Sequence, residues 1–229
     1  MVFDSFFFLH IPKAGGRHFD STVIESLKPD FEKNNIKNLI ESKKHKGWDS
    51  RVSPKTYVTS LFRDPVKQIV SYFVEVHLFD HVGRKRLVDG DVSLNKEIFK
   101  IWIENNSANL SNYQSKNFLF VDTYMHNNTF ENGISSIKDI EDRLNRVHHF
   151  MRSEDLKIIN HEQITNKIRF DFGFPLSNYY VNKTEEGFSN YDSVKIFNSL
   201  TEYEKNTIME KYFNIDCEVY NTDKYFWRP

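Results

Sequence analysis

Two apolar runs each break into a turn and resume as a helical pattern, and that pairing restricts the chain to folds in which strands alternate with helices. The first run, Val2 to Leu9, is rich in Phe and bounded by Pro12 and the pair Gly15-Gly16, which predicts a short buried strand. Beyond it Phe19, Val23, Ile24 and Leu27 recur at helical spacing, predicting a helix that ends near Pro29. The second run, Val58 to Phe62, meets Arg63-Asp64-Pro65, after which Val66, Ile69, Val70 and Phe73 trace a helical apolar face. Pro65 suits the first turn of a helix and Asp64 its N-cap. Across the chain, strands are expected at 3–9, 56–62 and 147–152, with a weaker pattern at 118–122. Helices are expected at 17–28, 65–79, 94–105, 137–146, 155–169 and 201–213. Strands separated by helices imply a parallel sheet with right-handed crossovers. In such sheets ligands sit at the carboxyl ends of strands, where both turns fall.

Each turn offers groups suited to a phosphate. A strand, a glycine-bearing turn and a helix start form a nest of backbone N–H groups at the positive end of a helix dipole. Gly15 and Gly16 let the backbone approach an anion closely, and Lys13 adds a charge beside it. In the second turn Arg63 can grip a phosphate through a bidentate fork, and Ser71, two helical turns later, can donate one more hydrogen bond. The Walker A pattern is absent. Taken singly, each turn also reads as an ordinary strand-to-helix connection, with Lys13 on the surface and Arg63 paired to a carboxylate.

The string His10-Ile11-Pro12-Lys13-Ala14-Gly15-Gly16 resembles the 5′-phosphosulfate loop of sulfotransferases that use 3′-phosphoadenosine 5′-phosphosulfate (PAPS), most of all the carbohydrate and heparan-sulfate branch. Arg63-Asp64-Pro65 with Ser71 and Tyr72 is similar to that family's 3′-phosphate motif, including the Arg-to-Ser spacing. Looser similarities run on through Met151-Arg152-Ser153-Glu154-Asp155-Leu156, Val181-Asn182-Lys183-Thr184 and the segment from Phe213 to Tyr220 with its Asp216. The resemblance implies a single domain over 1–229 with a three-layer α/β, P-loop-like fold, a central parallel sheet flanked by helices. It implies transfer of the PAPS sulfuryl group to an acceptor hydroxyl, expected on a carbohydrate, with release of 3′-phosphoadenosine 5′-phosphate (PAP). The cofactor-binding set it implies is Lys13, Ala14, Gly15, Gly16, Arg17, His18, Arg63 and Ser71.

Family members usually carry Thr and Ser where this chain has Arg17 and His18. Arg17 can supply a charge-assisted bond in place of a neutral one, and Ser21 or Thr22 can reach back from the next turn. Sulfuryl transfer, like phosphoryl transfer, is an in-line displacement in which charge builds on the leaving oxygen; the resemblance gives Lys13 the task of stabilising it. An acceptor hydroxyl also needs a base. His45, in Lys43-Lys44-His45-Lys46-Gly47-Trp48, resembles a His-x-x-Trp string of some glycan-directed relatives, and a histidine titrates close to operating pH. His18, His77 and Glu75 are rivals for that role; His10 is expected to be structural.

Composition sets the remaining bounds. The 229 residues suffice for one substantial core. A net charge of −1 gives no field that would draw nucleic acid. The single cysteine, Cys217, fits a reducing compartment. Neither an apolar stretch of membrane-spanning length nor a basic leader is present, so a cytoplasmic protein without a membrane span is expected. The basic clusters Arg84-Lys85-Arg86 and Lys43-Lys44-Lys46 suit either solvent or an anionic acceptor. His148-His149, with His126 and His161, lack metal-ligand spacing, and adjacent strand residues face opposite ways; no metal is expected. Two other readings stay open: a P-loop-like nucleotide phosphotransferase, and an inactive nucleotide-binding or interaction module.

Overall fold

The computed structural model describes residues 3–39, 47–78, 94–123, 133–157, 159–178 and 191–227. Its centre is a four-stranded, wholly parallel sheet in the order β2-β1-β3-β4, formed by β1 (Ser5–Leu9), β2 (Lys37–Asn38), β3 (Thr56–Phe62) and β4 (His149–Arg152). The two central strands, β1 and β3, are buried along their whole length, as a parallel sheet covered on its faces requires. Their register pairs Phe7 with Val58 and Leu9 with Ser60, so both strands deliver their turns to the same edge of the sheet.

After β1 comes an almost unbroken helical run: α1 (Gly16–Phe19), a π-helical segment (Asp20–Ile24) and α2 (Glu25–Lys33). The helix passes through Pro29 rather than stopping there. Proline removes one backbone bond, but Leu27 and Phe31 on either side are buried, and their burial keeps the helix on course. α3 (Pro65–Leu78) follows β3, with Asp64 Oδ1 accepting the Lys67 N–H at 2.9 Å as the expected N-cap. Then come α4 (Lys96–Asn105), α5 (Ser107–Leu110), α6 (Tyr113–Leu119) and α7 (Glu141–Leu144), preceded by a 3₁₀ turn at Ile137–Asp139. Beyond β4 a 3₁₀ turn, Asp155–Lys157, leads to α8 (His161–Phe172), and α9 (Tyr191–Ser199), α10 (Glu202–Tyr212) and α11 (Asn214–Asn221) follow among the described residues.

The expected strand at 118–122 is not one. α6 runs to Leu119, and only Val121 forms an isolated bridge, to Trp48. Every residue from Tyr113 to Phe118 is buried, so this helix lacks the alternation of wet and dry faces by which a helix announces itself. The helix expected at 155–169 is displaced: its first turn is the 3₁₀ segment, and Asn160 caps a new helix by accepting the Glu162 N–H.

Two clusters of buried side chains hold these elements. One packs Phe6, Tyr57, Phe31, Phe172 and Phe150 around the sheet. The other binds α3 to α4, α9 and α10 through Ile69, Phe73, Phe99, Ile196 and Ile208. At the open side of β4 the Trp227 N–H donates to the Phe150 carbonyl at 2.7 Å, and the Phe226 ring stacks on Phe150 at 4.5 Å. Among the described residues no helix is long and apolar enough to cross a membrane.

Candidate anion site at the carboxyl edge of the sheet

The β1 turn is folded by left-handed backbone at two positions, Lys13 (φ 63°) and Gly15 (φ 87°). Glycine adopts that conformation freely, whereas a lysine does so at a cost of about 1 kcal/mol or more. Gly16 answers a different demand: a Cβ there would lie 2.1 Å from the His10 ring, so the imidazole packs on bare backbone. The Gly15 carbonyl accepts the Phe19 N–H at 3.2 Å and opens the helix, and the Ala14 N–H is spent on the Ile11 carbonyl at 3.2 Å.

Three successive carbonyls of this turn are claimed by three different elements. Gln68 Nε2 of α3 donates to Pro12 at 2.9 Å, Arg63 Nη1 donates to Lys13 at 3.1 Å, and Ser153 Oγ after β4 donates to Ala14. With its acceptors occupied, the turn is presented to a ligand by its cations and by the N–H groups that open a helix.

Lys13 Nζ lies 3.4 Å from Glu75 Oε2, and Arg17 Nη2 3.4 Å from Glu75 Oε1. Burial pulls the Lys13 amine below its ordinary range, the Glu75 carboxylate opposing and Arg17 reinforcing. His18, expected among the cofactor contacts, is turned to another partner: its Nε2 meets His161 Nε2 at 2.9 Å. Ser21 and Thr22 do not reach back to the turn; both hydroxyls donate to the His18 carbonyl, at 3.3 and 2.6 Å, the usual outlet for hydroxyls inside a helix.

The β3 turn is held differently. The Gln114 side chain brackets Arg63, its Oε1 accepting the Arg63 N–H at 2.8 Å and its Nε2 donating to the Arg63 carbonyl at 2.7 Å. Gln114 is itself anchored, because the Asp216 carboxylate accepts the N–H groups of Gln114 and Ser115 at 3.1 and 2.7 Å. Asp216 is fully buried, and burial pushes its carboxyl up to about 6 against the pull of those bonds and of Lys116. Asn112, in left-handed backbone, accepts the Ile215 and Asp216 N–H groups and fixes the start of α11. The Arg63 guanidinium lies 4.0 Å from Glu154, and burial lowers its pKa with Glu154 opposing.

Along α3, Gln68, Ser71 and Glu75 follow at three- and four-residue spacing, which places them on one face. Gln68 and Glu75 both reach the β1 turn, and the buried Ser71 lies between them. Lys13, Ala14, Gly15, Gly16, Arg17, Arg63 and Ser71 thus gather at one edge of the sheet, and His18 flanks them. Sequence reasoning missed Gln68, Gln114 and the anchoring of Asp216. The stripe on α3 was the available signal for Gln68, whereas Gln114 joins Arg63 only through the tertiary fold.

Of the residues considered as base, His77 is engaged by its own helix, Nδ1 lying 2.8 Å from the Phe73 carbonyl. His45 lies outside the described residues, as do Asn182 with its neighbours, His126, and the two basic clusters. His148 and His149 have separate surroundings: His148 Nδ1 accepts the Val58 N–H and its ring stacks on Tyr57, while the His149 ring meets Trp227. Among the described residues no group of three or more metal-ligating side chains converges. Comparison with protein-family models, with curated proteins and with solved structures finds no match to this chain.

Proposed function

We propose that this protein is a PAPS-dependent sulfotransferase with a P-loop-like fold, acting on an acceptor hydroxyl, in the first instance that of a carbohydrate. One observation carries the reading: Arg63 crosses from the β3 turn to donate to the Lys13 carbonyl. The two cationic turns, on adjacent parallel strands, therefore share one wall, as a cofactor with an anionic group at each end needs.

The donor set fits such a cofactor. Lys13, Arg17 and the Gly15-Gly16 turn suit the 5′ end, and Arg63 with Ser71 the 3′-phosphate. Gln68 Oε1, buried without a partner among the described residues, offers an acceptor to a ligand hydroxyl. When bound, PAPS supplies a sulfuryl group that passes to the acceptor oxygen and leaves PAP behind. Lys13 holds positive charge where negative charge builds on the leaving oxygen. Arg63, its backbone fixed by Gln114, presents a fork to the terminal phosphate. His45 remains the residue proposed to take the acceptor proton.

The test is calorimetric titration with PAP, and separately with ATP and Mg²⁺, on the wild type and on Arg63→Ala. The reading expects PAP to bind and the substitution to weaken it roughly 100-fold, the scale of a truncated buried charge contact. Tighter binding of ATP than of PAP would replace it with a phosphotransferase, and PAP binding without turnover of labelled PAPS across an acceptor screen would leave a nucleotide-binding module.

A further inference from the structure

Both cations of the β1 turn engage the same carboxylate. Lys13 meets one oxygen of Glu75 and Arg17 the other, each at 3.4 Å, with the Glu75 side chain 18% exposed. Two anionic oxygens held between a lysine and an arginine reproduce what those cations would offer a phosphate or sulfate. The contacts are longer than the 2.7 Å of the Arg169–Asp30 pair elsewhere in the molecule, and longer than the range in which charge-assisted bonds are strongest.

We infer that Glu75 is a positioning residue, an internal counter-ion that aims Lys13 and Arg17 at one point and that an incoming oxyanion must displace. The inference rests on the nucleotide-site reading above and adds to it a rule of admission. A monoanion brings the cations no more than the carboxylate it replaces, whereas a terminal phosphate, or a phosphosulfate with its neighbouring charges, brings more. The seat thereby favours polyanionic ligands over sulfate or chloride. It also accounts for Arg17 at a position where a neutral hydroxyl would serve: the extra charge is matched by Glu75 until a ligand arrives. Burial and the neighbouring Arg17 both work against the Lys13 charge, and Glu75 opposes them.

Calorimetry with PAP and with inorganic pyrophosphate, on the wild type, Glu75→Gln and Glu75→Asp, tests the idea, with thermal melts to establish folding. Glu75→Gln should bind PAP roughly tenfold more tightly, with a steeper loss of affinity as salt is raised. Glu75→Asp, which keeps the charge but loses reach, should fall between the two. Equal or weaker PAP binding by a folded Glu75→Gln overturns the counter-ion role and leaves the nucleotide site standing. If neither protein binds PAP but Glu75→Gln binds pyrophosphate more tightly, the nucleotide reading fails and the counter-ion role stands. If neither protein binds PAP or pyrophosphate, both readings are overturned.

Discussion

The two turns at the sheet edge are built from similar parts and held in opposite ways. At the β3 turn the backbone of Arg63 is bracketed by one amide, itself hung from the fully buried Asp216, with bonds of 2.7–3.1 Å. At the β1 turn the carbonyls are tied down, but among the described residues the cationic side chains meet a shared carboxylate at 3.4 Å. Short bonds among buried groups resist rearrangement, whereas partly solvated ion pairs exchange readily. The contrast matches a division of labour in the proposed reaction. The end that only grips is preset, and the end where charge moves keeps cations that can change partners.

Substitutions can break this contrast or sharpen it. The largest effect is expected at the adjustable turn: Lys13→Met should lower turnover at saturating cofactor by about 10²–10³, well beyond its loss of PAP affinity and with melting temperature little changed, as measured by single-turnover kinetics beside calorimetry. A comparable loss of PAP binding would mean that Lys13 grips rather than catalyses.

At the preset turn the leading effect is on stability and depends on pH. The Asp216 carboxyl is raised from 3.8 to about 6 in the folded protein, so the native state holds a proton that the unfolded chain has released. Its contribution to stability is complete below about pH 4 and is lost as pH rises through 6. Relative to Asp216→Asn, which cannot ionise, the wild type should lose about 3 kcal/mol across that window. Denaturant titrations at pH 4 and pH 7 read the difference; a parallel shift in both proteins would refute it.

Gln114→Leu should cost about 2 kcal/mol, because the half-buried Arg63 N–H and carbonyl lose their partners, and should weaken PAP binding without changing turnover at saturating cofactor. The smallest change is expected for Gly15→Ala, which places a Cβ in left-handed backbone and should lower stability by about 1 kcal/mol in the same titrations.

Strands β1 and β3 and their two turns were legible in the sequence because each combines an apolar run with residues whose backbone habits are narrow: Pro12, Gly15 and Gly16 in one, Asp64 and Pro65 in the other. The paths of Lys13 and Arg63 to a common edge follow from parallel pairing of β1 with β3. The second layer of the site was not legible. Gln68 and Glu75 look like any polar residues along a helix until α3 is laid against the β1 turn. Gln114 sits in a helix so thoroughly buried that its apolar neighbours Phe118 to Val121 read as a strand. Asp216 reaches the site through α11, 102 residues along the chain from Gln114, and no local pattern foretells such a contact. Ser21 and Thr22 mark a further limit: composition showed hydroxyls near the turn, but the helix carbonyl of His18 claims them.

The contact of Trp227 and Phe226 with Phe150 bears on how the chain is made. A ribosome releases residues in order, and β3 and β4 both emerge well before Phe226. During that interval one flank of β4 exposes unpaired backbone groups, a template for strands of neighbouring nascent chains. The last aromatic pair closes it, one hydrogen bond and one stacked ring at a time. A chain cut before Phe226 would keep the residues of the anion site and lose the groups that cover this flank of β4.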